Sequence, residues 1–311
     1  MSSEQFLWVE RFRPNCIDDV ILPDNIKSQF IAFKDSGDIP NLILAGGAGV
    51  GKTTVAKAIL TELGCDYMIF NGSMDNGMDT LRTDIKDFAT TVSFAQGRKY
   101  IILDEADYLT SNMQGGLRNF MEEYSSNCGF ILTCNFPDKI IEPLHSRCTL
   151  IDFKITKAES AKLAKQFMVR VKGILDGEGI TCETKVLAEF IMVHFPDWRK
   201  ILNELQSYSV NGTIDTGILK RSSDESIEEL VGLLREKKFN EMRKWVGESD
   251  ADIHYIGRKL YDGIYDFIDK NTIPHAVIII ADYLHKSAFA KDQEINIVAM
   301  LTELMSSVTF K

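Results

Sequence analysis

Over the first half of the chain, short apolar runs alternate with apolar stripes at helical spacing; over the second half only the stripes remain. The runs Leu42–Ala45, Tyr67–Asn71, Tyr100–Leu103, Gly129–Thr133 and Thr149–Phe153 read as strands, and the stripes between them as covering helices. That alternation predicts a parallel α/β sheet. Past Lys157 the strand-type runs stop. Leu163, Phe167, Val171 and Ile174 stripe a helix over 158–175 that ends at Gly177 and Gly179, and two more helices are predicted over 183–194 and 198–209. The polar stretch Arg221-Ser222-Ser223-Asp224 reads as a junction. Beyond it Ile227, Leu230, Val231 and Leu234 stripe one helix, Ile256, Leu260, Ile264 and Phe267 another, and Pro274 opens a third. The last two helices, over 276–287 and 294–307, are apolar enough to bury one another and to offer a subunit interface. The pattern predicts three domains: a sheet domain over 1–153, a small helical domain over 154–222 and an all-α domain over 223–311.

Composition narrows the class. The 311 residues are 45% hydrophobic, ample for two or three cores. No run of about eighteen apolar residues occurs, and the opening Ser2-Ser3-Glu4-Gln5 is not a basic, apolar leader, so no membrane span and no secretion are expected. The six cysteines never approach a C-x-x-C spacing, which argues against a disulfide framework or zinc ribbon, and the five histidines are scattered singly. A net charge of −10 excludes a uniformly basic nucleic-acid-coating surface. Any nucleic-acid contact must come from a few placed residues.

The strongest chemical signal follows the run Leu42–Ala45. Gly46-Gly47-Ala48-Gly49-Val50-Gly51-Lys52-Thr53-Thr54 fits G-x-x-x-x-G-K-[ST] in full, between a predicted strand and a predicted helix over 55–63. In that context glycines let the backbone wrap its N–H groups around phosphate oxygens. Lys52 would reach the β- and γ-phosphates, Thr53 would hold Mg2+, and the helix N-terminus would face the anion. The pattern implies ATP or a similar nucleoside triphosphate.

About fifty residues later the strand Tyr100–Leu103 ends in Asp104-Glu105. Phosphoryl transfer needs a metal near the β- and γ-phosphates and an oriented water; Asp104 suits the first task and Glu105 the second. Asp104-Glu105-Ala106-Asp107 also spells the helicase DEAD box, but no Ser-Ala-Thr occurs and the C-terminal half is helical, which disfavours that class. Asn135 follows another strand, where its amide could order the attacking water or sense the γ-phosphate. Arg147, in Ser146-Arg147-Cys148, is of the type donated by a neighbouring subunit to transition-state oxygens.

These residues carry a family resemblance. Trp8-Val9-Glu10-Arg11-Phe12-Arg13-Pro14 resembles the W-x-E-K-Y-R-P opening of replication clamp-loader ATPases, and Ser146-Arg147-Cys148 resembles their Ser-Arg-Cys element. Asn71-Gly72-Ser73, the pair Leu81-Arg82 and Leu117-Arg118-Asn119-Phe120-Met121-Glu122 match as well. Ser125-Ser126-Asn127-Cys128, Phe195-Pro196-Asp197-Trp198-Arg199-Lys200 and Ser207-Tyr208-Ser209 are most similar to the large-subunit branch of T-even-type phage loaders. The likeness is specific to about Leu219 and architectural beyond it.

The resemblance implies an AAA+ module, its phosphate-loop sheet domain followed by a helical lid, and then a helical collar that joins subunits in a ring. Val9, Glu10, Arg11, Phe12, Arg13 and Ile21 would form the adenine pocket, and Arg199 would be a second nucleotide sensor. Arg147 would act on ATP in the adjacent subunit, and Gln114 would couple neighbouring modules. Arg82 and Lys86, one turn apart on a helix, would touch template phosphates. The implied partners are a sliding clamp, a smaller loader subunit, further copies of the chain and primer–template DNA, in the cytoplasm, or the host's cytoplasm if the chain is phage-encoded.

Two departures stand out. Asn76 occupies a position where the family has a basic residue restraining the catalytic glutamate, and the zinc insert of bacterial loaders is absent, which favours the phage or eukaryotic-type branch. The expected function is ATP-driven clamp loading. Its competitors are another AAA+ DNA-remodelling ATPase, such as a Holliday-junction translocase, and an ATP-binding scaffold that does not hydrolyse; the intact Lys52, Asp104 and Glu105 speak against the latter.

Overall fold

A computed structural model of the chain describes every residue except 1–5, 74–77, 92–97, 223–224, 249–251 and 288, and only the backbone of 78–82, 211, 220–222, 225–226 and 248. Two compact units divide it, Met1–Ile218 and Leu219–Lys311.

The first unit is built on five parallel strands: β1 (Leu42–Ala45), β2 (Tyr67–Asn71), β3 (Lys99–Asp104), β4 (Cys128–Cys134) and β5 (Thr149–Asp152). Their order is β2-β3-β4-β1-β5. β1 and β4 are buried along their whole length, as expected of central strands covered on both faces. Alternation then sorts their side chains into two cores. Leu42, Leu44, Tyr100, Ile102 and Ile131 pack on one face with Phe30, Val55 and Ile59. Ile43, Ala45, Ile101, Leu103, Phe130 and Leu132 pack on the other with Ile85, Leu117 and Met121.

The topology decides where chemistry can occur. In a parallel sheet, functional loops gather at the C-terminal strand ends. β4 lies between β1 and β3, with Leu44 beside Thr133 and Leu103 beside Leu132. The glycine loop leaving β1, the carboxylates leaving β3 and the polar end of β4 therefore meet on one edge.

Helices Lys157–Gly177, Thr184–His194 and Trp198–Tyr208 follow β5 within the same unit. The first begins with a Thr156/Glu159 capping box and the third with Asp197, whose carboxylate accepts from the Lys200 N–H. Thr181–Cys182 pairs with Thr213–Ile214 as a short parallel ladder. This corrects the expectation that strands end before Lys157: strands of two residues are too short to show alternation.

The second unit is all helical, around a single cluster running from Ile227 to Val308. Ile256, Leu260 and Ile264 are buried as their stripe predicts, but the helix stops at Asp262 and a separate turn, Ile264–Phe267, follows Gly263. A Cβ at Gly263 would lie 2.3 Å from the Phe267 ring, so a side chain there would require that ring to shift. Among the described residues no helix is long and apolar enough to cross a membrane.

Candidate functional site

The glycine loop turns directly into the helix Lys52–Glu62, which begins three residues earlier than its apolar pattern suggests because Gly51 takes a left-handed conformation at its N-cap. Lys52 is buried at the base of the loop, donating to the Gly46 and Gly47 carbonyls at 2.8 and 2.7 Å and to Asn135 Oδ1 at 2.9 Å. Burial pulls its ammonium below the ordinary lysine range, and the carboxylates of Asp104 and Asp107 act the other way.

The ends of β3 and β4 are joined through one side chain. Thr53 Oγ1 and Thr133 Oγ1 both donate to Asp104 Oδ1 at 2.6 Å, and the Glu105 N–H donates to Thr133 Oγ1 at 3.0 Å. Glu105 itself sits at φ 56°, a left-handed backbone that costs a non-glycine residue about 1–3 kcal/mol and that gathers at functional sites. Gly72 backs this turn: its N–H donates to the Asp104 carbonyl at 2.7 Å, and a Cβ there would lie 2.5 Å from the Glu105 carbonyl oxygen. Asp107, two residues on, is buried and accepts from the Asn135 and Phe136 N–H groups at 3.3 and 3.2 Å. That contact fixes the backbone carrying Asn135.

Above the loop a pocket is lined by Val9, Phe12, Arg13, Pro14, Val20 and Ile21, by Gly49 to Thr54, and by Phe167, Arg170, Trp198, Arg199 and Leu202 of the helices that follow the sheet. Arg13 reaches Thr54 Oγ1 at 3.3 Å. The helices close it through bonds to backbone carbonyls: the Trp198 N–H donates to the Gly49 carbonyl at 3.2 Å, and the Arg170 guanidinium donates to the carbonyls of Asp19 and Phe12 at 2.9 and 2.8 Å. Gly49, at φ +70°, abuts Asp197 so closely that a Cβ would fall 1.8 Å from its carboxylate.

Of the residues expected around the base, Val9, Phe12, Arg13, Ile21 and Arg199 line the pocket. Glu10 and Arg11 do not, because Glu10 is engaged by Arg13 and Arg11 by Glu178. Gly46, Gly47 and Ala48 lie in the loop below it. Arg147 lies outside the pocket and is held by Glu122 and, at 2.8 Å, by the Pro143 carbonyl. Gln114 is fully buried and ties three backbone points: its amide donates to the Leu109 and Lys139 carbonyls, both at 3.0 Å, and its oxygen accepts from Ile141 N–H at 2.8 Å. Lys86 is exposed on the helix Met78–Thr90, whose backbone places residue 82 one turn earlier; the Arg82 side chain and Asn76 lie outside the described residues.

The sequence pattern did not single out Arg170, Thr133 or Asp107 as site residues. Arg170 stands three positions after buried Phe167, a spacing that could have flagged it. Thr133 and Asp107 gain meaning only from strand register.

The donor set suits Mg2+. Asp104 and Thr53 offer hard oxygens at the loop, and among the described residues no cluster of three or more His, Cys, Asp or Glu could cage a metal. Mg2+ takes one or two carboxylates and completes its shell with substrate phosphates and water.

Comparison with known proteins agrees with this geometry. Residues 42–156 match the model of the ATPase family associated with various cellular activities (AAA), and residues 159–220 that of the sliding-clamp-loader large subunit, AAA+ ATPase lid domain. The sliding-clamp-loader large subunit of Enterobacteria phage T4 is 33% identical over 317 residues, covering 100% of this chain and 99% of the relative. The chain belongs to the sliding-clamp-loader large-subunit family. The corresponding subunit of Escherichia phage RB69 is 32% identical over 318 residues, covering 100% of this chain and 99% of its own. The replication factor C small subunit of Methanococcus vannielii is 34% identical over 248 residues, 76% of this chain and 77% of that protein. A point mutant of Thermotoga maritima RuvB shares the fold, with a TM-score of 0.56 at 17% identity over 80% of this chain and 85% of its own. A clamp-loader subunit of the AAA+ class, the chain is an ATPase in the general sense of that family and binds nucleotide.

Proposed function

We propose that the chain is the motor subunit of a clamp loader, coupling ATP binding and hydrolysis to the opening of a ring-shaped sliding clamp and its placement on primer–template DNA, together with a smaller partner subunit and further copies of itself. The observation that carries the reading is the convergence of Lys52, Thr53, Asp104 and Asn135 on one strand edge, beneath a pocket closed by Arg170, Trp198 and Arg199, in a chain whose family is that of clamp loaders.

In this reading the adenine lies between Phe12, Ile21 and the lid helices, and the triphosphate runs over residues 46–54 toward Asp104. Mg2+ held by Thr53 and Asp104 would neutralise phosphate charge. Lys52 opposes the β- and γ-phosphates, Glu105 orients the attacking water and takes its proton, Asn135 senses the terminal phosphate, and Arg199 reads the nucleotide from the lid. Arg147, held by Glu122 outside the pocket, would serve a neighbouring subunit, and its departure from product after hydrolysis would release the clamp. Arg82 and Lys86 would meet template phosphates. The proposed domains are the sheet module over 1–153, the lid over 154–222 and the collar over 223–311.

The test is gel filtration of the purified chain, with its partner subunit, against a sliding clamp. Co-elution with the clamp in a non-hydrolysable ATP analogue but not in ADP, together with ATP turnover stimulated by primer–template DNA, is expected. Clamp binding indifferent to nucleotide would overturn the coupling, and absence of turnover under all conditions would leave a scaffold.

A further inference from the structure

Thr133 is almost wholly buried, and its hydroxyl uses both hydrogen-bonding capacities across the junction of β3 and β4. Its O–H donates to Asp104 Oδ1 at 2.6 Å while its oxygen accepts the Glu105 N–H at 3.0 Å. It does not line the pocket, so it would touch neither base nor sugar. We propose that Thr133 is a positioning residue of the hydrolytic site, its one hydroxyl holding the Asp104 carboxylate and the Glu105 backbone in a fixed relation while nucleotide and metal exchange.

The proposal rests on the ATPase reading of Asp104 and Glu105, and deepens it. Asp104 Oδ1 accepts two hydroxyls, from Thr53 and from Thr133. Thr53 stands on the loop that meets phosphate and metal, so its hydroxyl, whose oxygen lone pairs remain open to a metal while its O–H donates to the carboxylate, answers to both and shifts as they exchange. Thr133 stands on a central strand and has no such second task; it is the donor that stays. Glu105 needs the same anchor for a different reason. Its left-handed backbone at φ 56° is rare for a residue with a side chain and persists where surrounding bonds over-determine it. The Thr133 hydroxyl is one such bond and the close approach of Gly72 is another. Removing the hydroxyl at constant shape leaves the partly buried Glu105 N–H without its acceptor and Asp104 Oδ1 with one donor fewer, and the carboxylate and the water-orienting glutamate drift apart.

Thr133→Val keeps the shape without the hydroxyl, and Thr133→Ser keeps the hydroxyl without the methyl. Thr133→Val should lower kcat by about tenfold or more. Nucleotide affinity measured without divalent metal should stay within about twofold, since no nucleotide contact is lost. Electron paramagnetic resonance of Mn2+, titrated into the complex with a non-hydrolysable ATP analogue, should show weaker metal binding, and Thr133→Ser should restore both metal affinity and kcat. Wild-type kcat and Mn2+ affinity in Thr133→Val, or equal impairment of the Ser and Val variants, would overturn the proposal; the second outcome would assign the effect to packing. Should the valine variant not fold, Thr133→Ala against Thr133→Ser makes the same comparison. Glu105→Gln run in parallel separates the two levels. If it turns over normally the ATPase reading fails; if it is inactive while Thr133→Val is unimpaired, only the role of Thr133 fails.

Discussion

The Lys52 ammonium donates to Asn135 Oδ1 at 2.9 Å, so the cation proposed to oppose the phosphates and the side chain proposed to sense the γ-phosphate are in direct contact. Asn135 is fixed from behind by Asp107, and Lys52 from below by the Gly46 and Gly47 carbonyls. Each of these partners spares Lys52 from being an isolated buried charge.

A pH dependence follows. Burial lowers the Lys52 pKa below the ordinary 10.5, so it begins to lose its charge at a lower pH than a free lysine. Triphosphate binding favours the cation. ATP affinity, measured with a fluorescent analogue, should therefore fall as pH rises through the window below 10.5, and the fall should vanish in Lys52→Ala, which binds negligibly throughout. For the nucleotide-free protein the sign is opposite. In that window the unfolded chain holds the lysine proton and the folded chain does not, so this group makes stability rise with pH. An affinity flat to the ordinary lysine range would contradict the burial argument.

Glu105→Gln should retain nucleotide binding while losing turnover by about a hundredfold or more, the scale of a general base. The amide preserves the side chain's size and leaves the backbone bond to Thr133 intact. Rapid-quench measurement of single-turnover hydrolysis checks this. Wild-type rates would move the activating role to another group.

Much of this site was legible before any fold was known, because glycine spacing, the Lys-Thr pair and a strand ending in two carboxylates are local patterns. Leu42–Ala45 and Tyr67–Asn71 match their predicted runs to the residue: the first is a fully buried strand, and the second, at the sheet edge and only partly buried, is still a short contiguous apolar run. What stayed hidden depends on register and tertiary approach. Thr133 reaches Asp104 because β3 and β4 pair with Leu103 beside Leu132, and Arg170 reaches Phe12 across 158 residues of chain. Glu10 and Arg11 show the reverse case, in which a motif names neighbours of the site and ion pairing turns them elsewhere.

Gly49→Ala should damage the lid contact. The added methyl meets the Asp197 carboxylate in a backbone at φ +70°, so it costs about 1–3 kcal/mol in strain and displaces the cap of the helix Trp198–Tyr208. Weaker nucleotide binding, by about tenfold, and a lowered Tm are expected. Gly115→Ala is the contrast. It lies within the helix Ser111–Glu123, where a Cβ meets nothing within 4 Å, and should stabilise the protein by about 0.5–1 kcal/mol.

If residues 82 and 86 meet template phosphates, Arg82→Ala combined with Lys86→Ala should weaken DNA binding. The deficit should shrink as salt rises, because each lost phosphate contact removes its share of counterion release. Fluorescence anisotropy of labelled primer–template DNA across a salt series gives the slope. Identical slopes for variant and wild type would remove both residues from the interface.

Arg147 separates a site completed within one subunit from a site shared between two. Its guanidinium is held by Glu122 and the Pro143 carbonyl and lies outside the pocket lining, so it has no contact to lose with its own chain's nucleotide. Arg147→Ala should therefore leave nucleotide affinity of the isolated chain intact, yet lower DNA-stimulated hydrolysis by the assembly by about a thousandfold, as for arginine donated in trans elsewhere. Lys52→Ala fails for the opposite reason, in the pocket itself. Mixed assemblies of the two variants contain interfaces where an intact Lys52 pocket faces an intact Arg147, and those interfaces should hydrolyse ATP. Regained activity in the mixture, with co-assembly shown by differential tagging, is the expected result. A co-assembled mixture no more active than the two variants apart would mean that Arg147 does not complete its neighbour's site.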